Sequence, residues 1–183
     1  MARLFETERL SVREFVAADI EPFSSYRALP AVAAFQSWSG YSHQDGLSLL
    51  ERMQGVSFAS VGHWFQVALV ERATERLVGD LALHFIDDQQ VEMGFTVDPK
   101  FQRQGYATEA VAGCLTYLFE QLQKHRVRAT TDVDNQACWR LLARVGFRRE
   151  AHFVDNIWFK GAWGSEYLYA MLANEWTSKM VQR

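Results

Sequence analysis

The segment Val97-Asp98-Pro99-Lys100-Phe101-Gln102-Arg103-Gln104-Gly105-Tyr106-Ala107-Thr108 decides how this chain is read. Before it, Gln90 to Asp98 alternates strictly. Val91, Met93, Phe95 and Val97 share one face, and Gln90, Glu92, Gly94 and Thr96 the other, the pattern of a strand. After it, Ala107, Ala110, Val111, Cys114, Leu115, Leu118, Phe119 and Leu122 form the continuous apolar stripe of an amphipathic helix. Pro99 stops the strand, and Gln102 to Ala107 form a loop whose end becomes the first helical turn. A helix start leaves about four amide N–H groups without partners and carries partial positive charge. Gly105 has no Cβ and lets backbone approach a ligand, Ala107 is small, Arg103 adds a cation and Thr108 a hydroxyl. The segment thus predicts a phosphate or pyrophosphate site. A P-loop and a Rossmann fingerprint are both missing, so neither nucleotide fold is expected.

Upstream, Thr7 to Phe15 is predicted as a first strand, with Leu10 and Val12 on one face. A helix is predicted over Ala17 to Leu29 and a short one from Pro30. Ser42-His43-Gln44-Asp45 has the form of a capping box, opening a helix to about Phe58. His63 to Val70 and Leu77 to Ile86 read as a hairpin. Downstream come a strand over Val127 to Val133, a short helix over Asn135 to Val145 ended by Gly146, and strands over Arg149 to Phe159 and Glu166 to Leu172. This order predicts a mixed sheet with helices packed on it, an α/β or α+β fold. With 183 residues and no Pro/Gly/Ser linker or repeat, residues 1–183 are expected to form a single domain.

A net charge of −3 argues against a nucleic-acid partner, and a small negative charge is compatible with a cationic substrate. The two cysteines, Cys114 and Cys138, suggest a reducing compartment. With no apolar run long enough to span a bilayer and no signal-peptide core, the expectation is a cytoplasmic protein without membrane attachment. His43, His63, His84, His125 and His152 show no metal-ligand spacing, so no metal is assigned.

Gln102-x-x-Gly105-x-Ala107 resembles the pyrophosphate signature of the GNAT N-acyltransferases, Q/R-x-x-G-x-G/A. Four further segments resemble the ribosomal-protein N-terminal acetyltransferase-like branch of that superfamily: Thr7-Glu8-Arg9-Leu10-Ser11-Val12-Arg13; Val91-Glu92-Met93-Gly94-Phe95; Asn135-Gln136-Ala137-Cys138 with Leu141-Leu142 and Gly146-Phe147; and Glu166 to Trp176. Five motifs in the family's order span nearly the whole chain. The resemblance implies a mainly antiparallel sheet of about seven strands flanked by helices, with a V-shaped splay between the fourth and fifth. It also implies acetyl-CoA as donor and an amine as acceptor.

Acetyl transfer requires a thioester held beside the amine, a proton removed from the amine, a stabilised oxyanion and a leaving thiolate that is accommodated. The resemblance puts backbone groups of Phe95, Thr96 and Val97 against the cofactor's pantetheine arm, and an N–H on this strand can polarise the carbonyl. It makes Glu92 the general base, with partial burial or a relay water needed for a carboxylate to serve an ammonium. A structural ion pair is the other reading of Glu92. Cys138 stands where related enzymes commonly have serine, as an acid beside the cofactor sulfur. Its spacing with Leu141, Leu142 and Val145 equally fits a small core residue. Asn135 is an N-cap and, by resemblance, a cofactor contact. Tyr167 and Tyr169 are alternative acids. Trp38 is the best acceptor-pocket candidate among Phe35, Trp38, Tyr41, Trp64 and Phe65, most of which are expected in the core.

The acceptor is left open between a peptide or protein N-terminal amine and a small amine such as a polyamine or aminoglycoside. Two other classes compete, a noncatalytic acyl-CoA sensor and an interaction protein without a cofactor. An exposed edge strand is where a second copy could pair as a homodimer.

Overall fold

The computed structural model describes residues 2–181. Eight strands form one sheet in the order β1-β2-β3-β4-β5-β6-β8-β7, one more than the sequence predicts. The extra strand comes from the N-terminus. The predicted Thr7–Phe15 strand is shorter, β2 (Leu10–Glu14), and an unpredicted β1 (Arg3–Glu6) precedes it, the two forming a hairpin around Thr7-Glu8-Arg9. That turn has no glycine or proline to announce it. It is held instead by Thr7 N donating to the Leu10 carbonyl (2.9 Å) and by Arg72 donating to the Thr7 and Glu8 carbonyls.

β3 (Trp64–Glu71), β4 (Leu77–Phe85) and β5 (Gln90–Val97) continue the antiparallel meander. Their alternation fills two cores. Phe65, Val67, Leu69, Leu81, Leu83, Val91 and Met93 pack against α4 (Tyr106–Thr116) and α5 (Gln136–Val145) on one face. Ala68, Val70 and Leu77 pack on the other face against α1 (Ile20–Arg27), with α3 (His43–Met53) outside it. The capping box at α3 is present, with Ser42 and Asp45 exchanging hydrogen bonds. α3 stops at Met53, not near Phe58, because Gly55 takes a left-handed φ of 84° and turns the chain away. The stripe after Ala107 extends beyond α4 through a turn of π-helix, Tyr117–Gln121, burying Leu118 and Phe119.

β6 (Arg126–Asp132) is the one parallel neighbour, and its partner is β5. The pairing covers only Gln90↔Arg126, Val91↔Val127 and Glu92↔Arg128; beyond Glu92 the strands part. β8 (Ala162–Leu172) pairs with β6, and β7 (Arg148–Phe159) pairs with β8 at the sheet edge. The chain ends in α6 (Ala173–Val181), which the sequence reading did not include. A short α2 (Pro30–Ala33) leads from α1 into the loop 34–41.

The α1 face holds one buried polar cluster. Asp80, 1% exposed, accepts hydrogen bonds from Tyr26, Arg27 and Gln66. Burial beside this carboxylate drives the Tyr26 phenol well above its ordinary range. The Arg27 guanidinium lies 4.4 Å from the ring centres of both Phe23 and Trp38. Tyr26, Arg27 and Asp80 are thus desolvated together, with Gln66 at their edge, and their mutual hydrogen bonds tie α1 to β4.

Candidate functional site

The loop before α4 is folded as the sequence predicts. Arg103 (φ 61°) and Gly105 (φ 87°) adopt left-handed conformations, which turn successive N–H groups toward one side. Gly105 is the N-cap, and no side chain caps the helix. Among the described residues, no protein acceptor engages the amides of Gln104, Gly105, Tyr106, Ala107 or Thr108. Glycine is favoured here for a reason beyond ligand approach, since a φ of 87° strains any residue with a Cβ, which would also come within 3.2 Å of the Arg9 guanidinium. The side chains at this loop are largely committed to the protein. Gln102 Nε2 donates to the Val97 carbonyl (3.0 Å), Gln104 Nε2 to the Lys100 carbonyl (3.2 Å), and the Tyr106 hydroxyl to Glu71. Gln102 therefore ties the loop back to β5, leaving the backbone as the main donor surface.

Arg9 is the residue here that sequence reasoning missed. Its guanidinium lies 4.4 Å from the Tyr106 ring centre and donates to the Gln104 carbonyl (2.9 Å) and to Glu109 (2.6 Å). Glu109, in the first turn of α4, also accepts from the Thr7 hydroxyl (2.5 Å) and the Arg9 amide (2.7 Å). Burial raises the Glu109 carboxyl, but these bonds outweigh it and hold the group below the usual carboxylate range. A free carboxylate in this turn would repel an anion. Arg9 neutralises it and leaves the loop electropositive. The signal was in the sequence as Thr7-Glu8-Arg9, but its partner lies 100 residues away.

At the other end of the splay, Glu92 is in the last paired row. Arg128 donates to it through Nη2 (2.8 Å) and Nε (3.2 Å), and the Thr130 hydroxyl is 3.3 Å away. Both carboxylate oxygens are engaged. Beyond this row the strands open into a cavity of about 190 Å³. Its walls are Met93, Gly94 and Phe95 of β5 and Ala129 to Asp132 of β6. Asn135 and Cys138 line it from the α5 side, and Phe35, Gln36, Ile157, Phe159 and Glu166 from the α1 side. The gap thus passes through the sheet from one helical layer to the other. A larger cavity of about 290 Å³ lies under the end of α3; neither cavity is lined by the 97–108 segment, which continues from the open end of β5.

Asn135 caps α5, its Oδ1 accepting from Cys138 N at 3.3 Å. Cys138 faces the gap and also packs against the core. Burial pushes its thiol above the usual range, and a hydrogen bond with Thr131 offsets this in part. Cys114, fully buried on α4, is pushed up to about 12. Tyr169 is buried in the main core, with burial raising its phenol, and Tyr167 is packed among Trp139, His152 and Tyr169. Trp38 does not line the cavity; its indole N–H donates to the Arg27 carbonyl (3.1 Å) and its ring covers the Arg27 guanidinium. Phe35 and Gln36 are the members of that loop at the opening. Asp132 and Glu166, directly opposed across β6 and β8, place two carboxylates on its wall; the sequence reading singled out neither. No group of three His, Cys, Asp or Glu side chains among the described residues is arranged to hold a metal ion.

The acetyltransferase (GNAT) domain family matches residues 9–148, most of the chain, including the 97–108 loop and the β5, β6 and α5 walls of the gap. The chain belongs to the GNAT acetyltransferase family. Among its relatives is an uncharacterised N-acetyltransferase of Bacillus subtilis (strain 168), YnaD, 29% identical over 93% of this chain and 97% of the relative. The [ribosomal protein uS5]-alanine N-acetyltransferase of Escherichia coli (strain K12) is 29% identical over 46% of this chain and 44% of its own length. The solved acetyltransferase (GNAT family) from Bacillus anthracis superposes with a TM-score of 0.84 at 27% identity, covering 93% of this chain and 98% of that one. The spermidine N-acetyltransferase from Vibrio cholerae, solved with CoA and spermine, shares the fold with a TM-score of 0.81 at 18% identity, covering 92% and 98%.

This GNAT protein is an acyltransferase, and enzymes of the family take the acetyl group from acetyl-CoA. Its residues fit that donor. The amides of residues 104–108 lack protein acceptors, Arg9 cancels the Glu109 charge beside them while Arg103 adds a cation, and the β6-facing edge of β5 is unpaired beyond Glu92. Among the described residues no helix is long and apolar enough to cross a membrane.

Proposed function

We propose that residues 1–183 act in the cytoplasm as one N-acetyltransferase domain, passing the acetyl group directly to a primary amine in a ternary complex. The observation that carries this reading is the opening between β5 and β6, with uncapped amides of α4 on one side and carboxylates of β6 and β8 on the other. Acetyl-CoA supplies the activated acetyl group. The backbone N–H groups of Gln104 to Thr108 would hold its diphosphate, with Arg103 as a mobile cation. Phe95, Thr96 and Val97 would offer strand-edge groups to its arm. Asn135, whose side-chain oxygen is spent on the cap, keeps its amide donor for the same ligand.

Glu92 is the proposed base. Held by Arg128 and Thr130 in the last paired row, one residue below the cavity lining, it would take the ammonium's proton through one water. Cys138, kept as a thiol by burial, would offer its proton to the departing sulfur. Relatives supply two acceptor classes. A peptide N-terminal amine is the first reading, supported by the alanine N-acetyltransferase relative. A polyamine is the second, favoured by Asp132 and Glu166 on the wall, since opposed like charges are stabilised by a cation between them.

The test is thiol release from acetyl-CoA across N-terminal peptides, polyamines and aminoglycosides. Glu92→Gln is expected to lower kcat at least about tenfold, more below neutral pH than above it, because a base matters most when the amine arrives protonated. A rate unchanged at every pH removes Glu92 from the mechanism. Binding of acetyl-CoA with no thiol release for any amine would favour a sensor.

A further inference from the structure

Lys160 sits at the tip of the β7–β8 hairpin, where Lys160 (φ 50°) and Gly161 (φ 87°) form the two-residue turn. Although the residue is exposed, its ammonium pairs with no acid. It donates to the Ala33 carbonyl (2.6 Å) and the Trp38 carbonyl (2.7 Å), across sequence separations of 127 and 122 residues. One of these carbonyls closes α2 and the other belongs to the loop 34–41. Between the two anchor points lie Phe35 and Gln36; below the lysine lie Ile157 and Phe159. These four residues line the α1 side of the gap. The lysine therefore fastens the two flaps that flank this opening.

The seat of this fastening is rigid. Trp38 accepts from Lys160 through its carbonyl, donates its indole N–H to the Arg27 carbonyl, and lays its ring 4.4 Å from the Arg27 guanidinium. Arg27 is bonded to the buried Asp80 of β4. A continuous path runs from the sheet through α1 and Trp38 to the hairpin tip. Little else joins the flaps: β7 lies at the sheet edge, and Val154, Trp158 and Trp163 of the hairpin are 68%, 62% and 61% exposed.

We propose that Lys160, seated on Trp38, is a specificity-determining latch that roofs the acceptor side of the gap and admits a primary amine at the end of a slender chain, polyamine or peptide, in preference to bulky multi-ring amines. The inference rests on the transferase reading for its substrates but not for its structural part. With the roof closed, an acceptor enters by its end, between Phe35 and Phe159, toward Asp132 and Glu166. With it open, the hairpin swings on β7 and β8, and broader amines reach the same wall.

The experiment compares the wild-type protein with Lys160→Met, which keeps the stem and removes the donors, and with Lys160→Arg, which restores them. Three quantities are read: amide hydrogen exchange, the acetyl-CoA dissociation constant, and kcat/KM for spermidine and an N-terminal peptide against a branched aminoglycoside. In Lys160→Met, exchange in segments 33–41 and 155–163 rises at least about tenfold. Acetyl-CoA affinity stays within about twofold. KM for the slender amines rises several-fold, and the branched-to-slender ratio of kcat/KM rises at least about fivefold. Lys160→Arg reverses most of each change. Exchange equal to wild type overturns the latch, as does faster exchange with an unchanged branched-to-slender ratio. If the wild-type protein accepts no amine, the transferase reading has failed, and exchange alone decides whether the latch exists.

Discussion

The two sides of the gap between β5 and β6 are built by different means. The α4 side, past the lining residues Asn135 and Cys138, leads to a surface made of backbone: amides 104–108 in a loop turned by left-handed Arg103 and Gly105, with side chains that brace it from outside. The α1 side is made of side chains from four distant places: the 34–41 loop, β6, β7 and β8. A backbone surface suits a ligand that never changes, such as the diphosphate of a common donor, because few residue identities can spoil it. A side-chain surface suits a ligand that differs between relatives, because each wall residue can be exchanged separately.

The largest expected effect breaks the foundation of the side-chain half. Asp80→Ala leaves Arg27 buried without its carboxylate, a loss of about 3–5 kcal/mol in chemical denaturation. The protein that remains folded should bind acetyl-CoA within about threefold of wild type; a larger loss would mean the two sides are not separable. Gly105→Val attacks the backbone half. A β-branched residue at φ 87°, with its Cβ 3.2 Å from Arg9, strains the loop. Acetyl-CoA affinity should fall about 30- to 100-fold by calorimetry, or about 2–2.7 kcal/mol, while hydrogen exchange at 33–41 is unchanged. Undiminished affinity would show that the amides of α4 are not the donor site.

The smallest effect is a control that touches neither side. Glu150 bridges Arg126 and Arg148, and these bonds hold its carboxyl at about 2, below the ordinary 4.5. Its folded-state value is depressed, so its stabilisation is present above pH 4.5 and lost as pH falls toward 2. The pair is partly exposed, so Glu150→Gln should cost only about 1 kcal/mol at neutral pH. The gap between variant and wild type in urea titrations should close over that window. A gap that persists at pH 2 would assign the loss to packing.

This division also explains what the sequence made readable. The β5 alternation, the α4 stripe, the Asn135 cap and the Gly146 stop are local patterns, and each appears within two residues of its predicted place. Gly105 was legible for the same reason. Seven strands became eight because the Thr7–Arg9 turn is held by Arg72 and Glu109, remote residues that a window of local sequence does not contain. Trp38 was singled out as a bulky aromatic near an acceptor, but its ring goes to Arg27, and Phe35 and Gln36 take the wall. Lys160 and Asp132 carry no motif of their own, and Glu166 opens one that reads only as a strand. Their proximity to the opening is a product of the β6–β8–β7 order, settled only when the last strands dock between and beside earlier ones.

The three rungs that join β5 to β6 have a mechanical consequence. Five strands lie on one side of this seam and three on the other, so the protein resembles two plates stitched at one end. A molecule lying in the slit, bonded to both rims, would supply the missing stitches. Occupancy should therefore stiffen the whole barrier between the plates, slowing exchange on β5 and β6 alike, and the unliganded protein should flex along that seam before it yields anywhere else in the sheet.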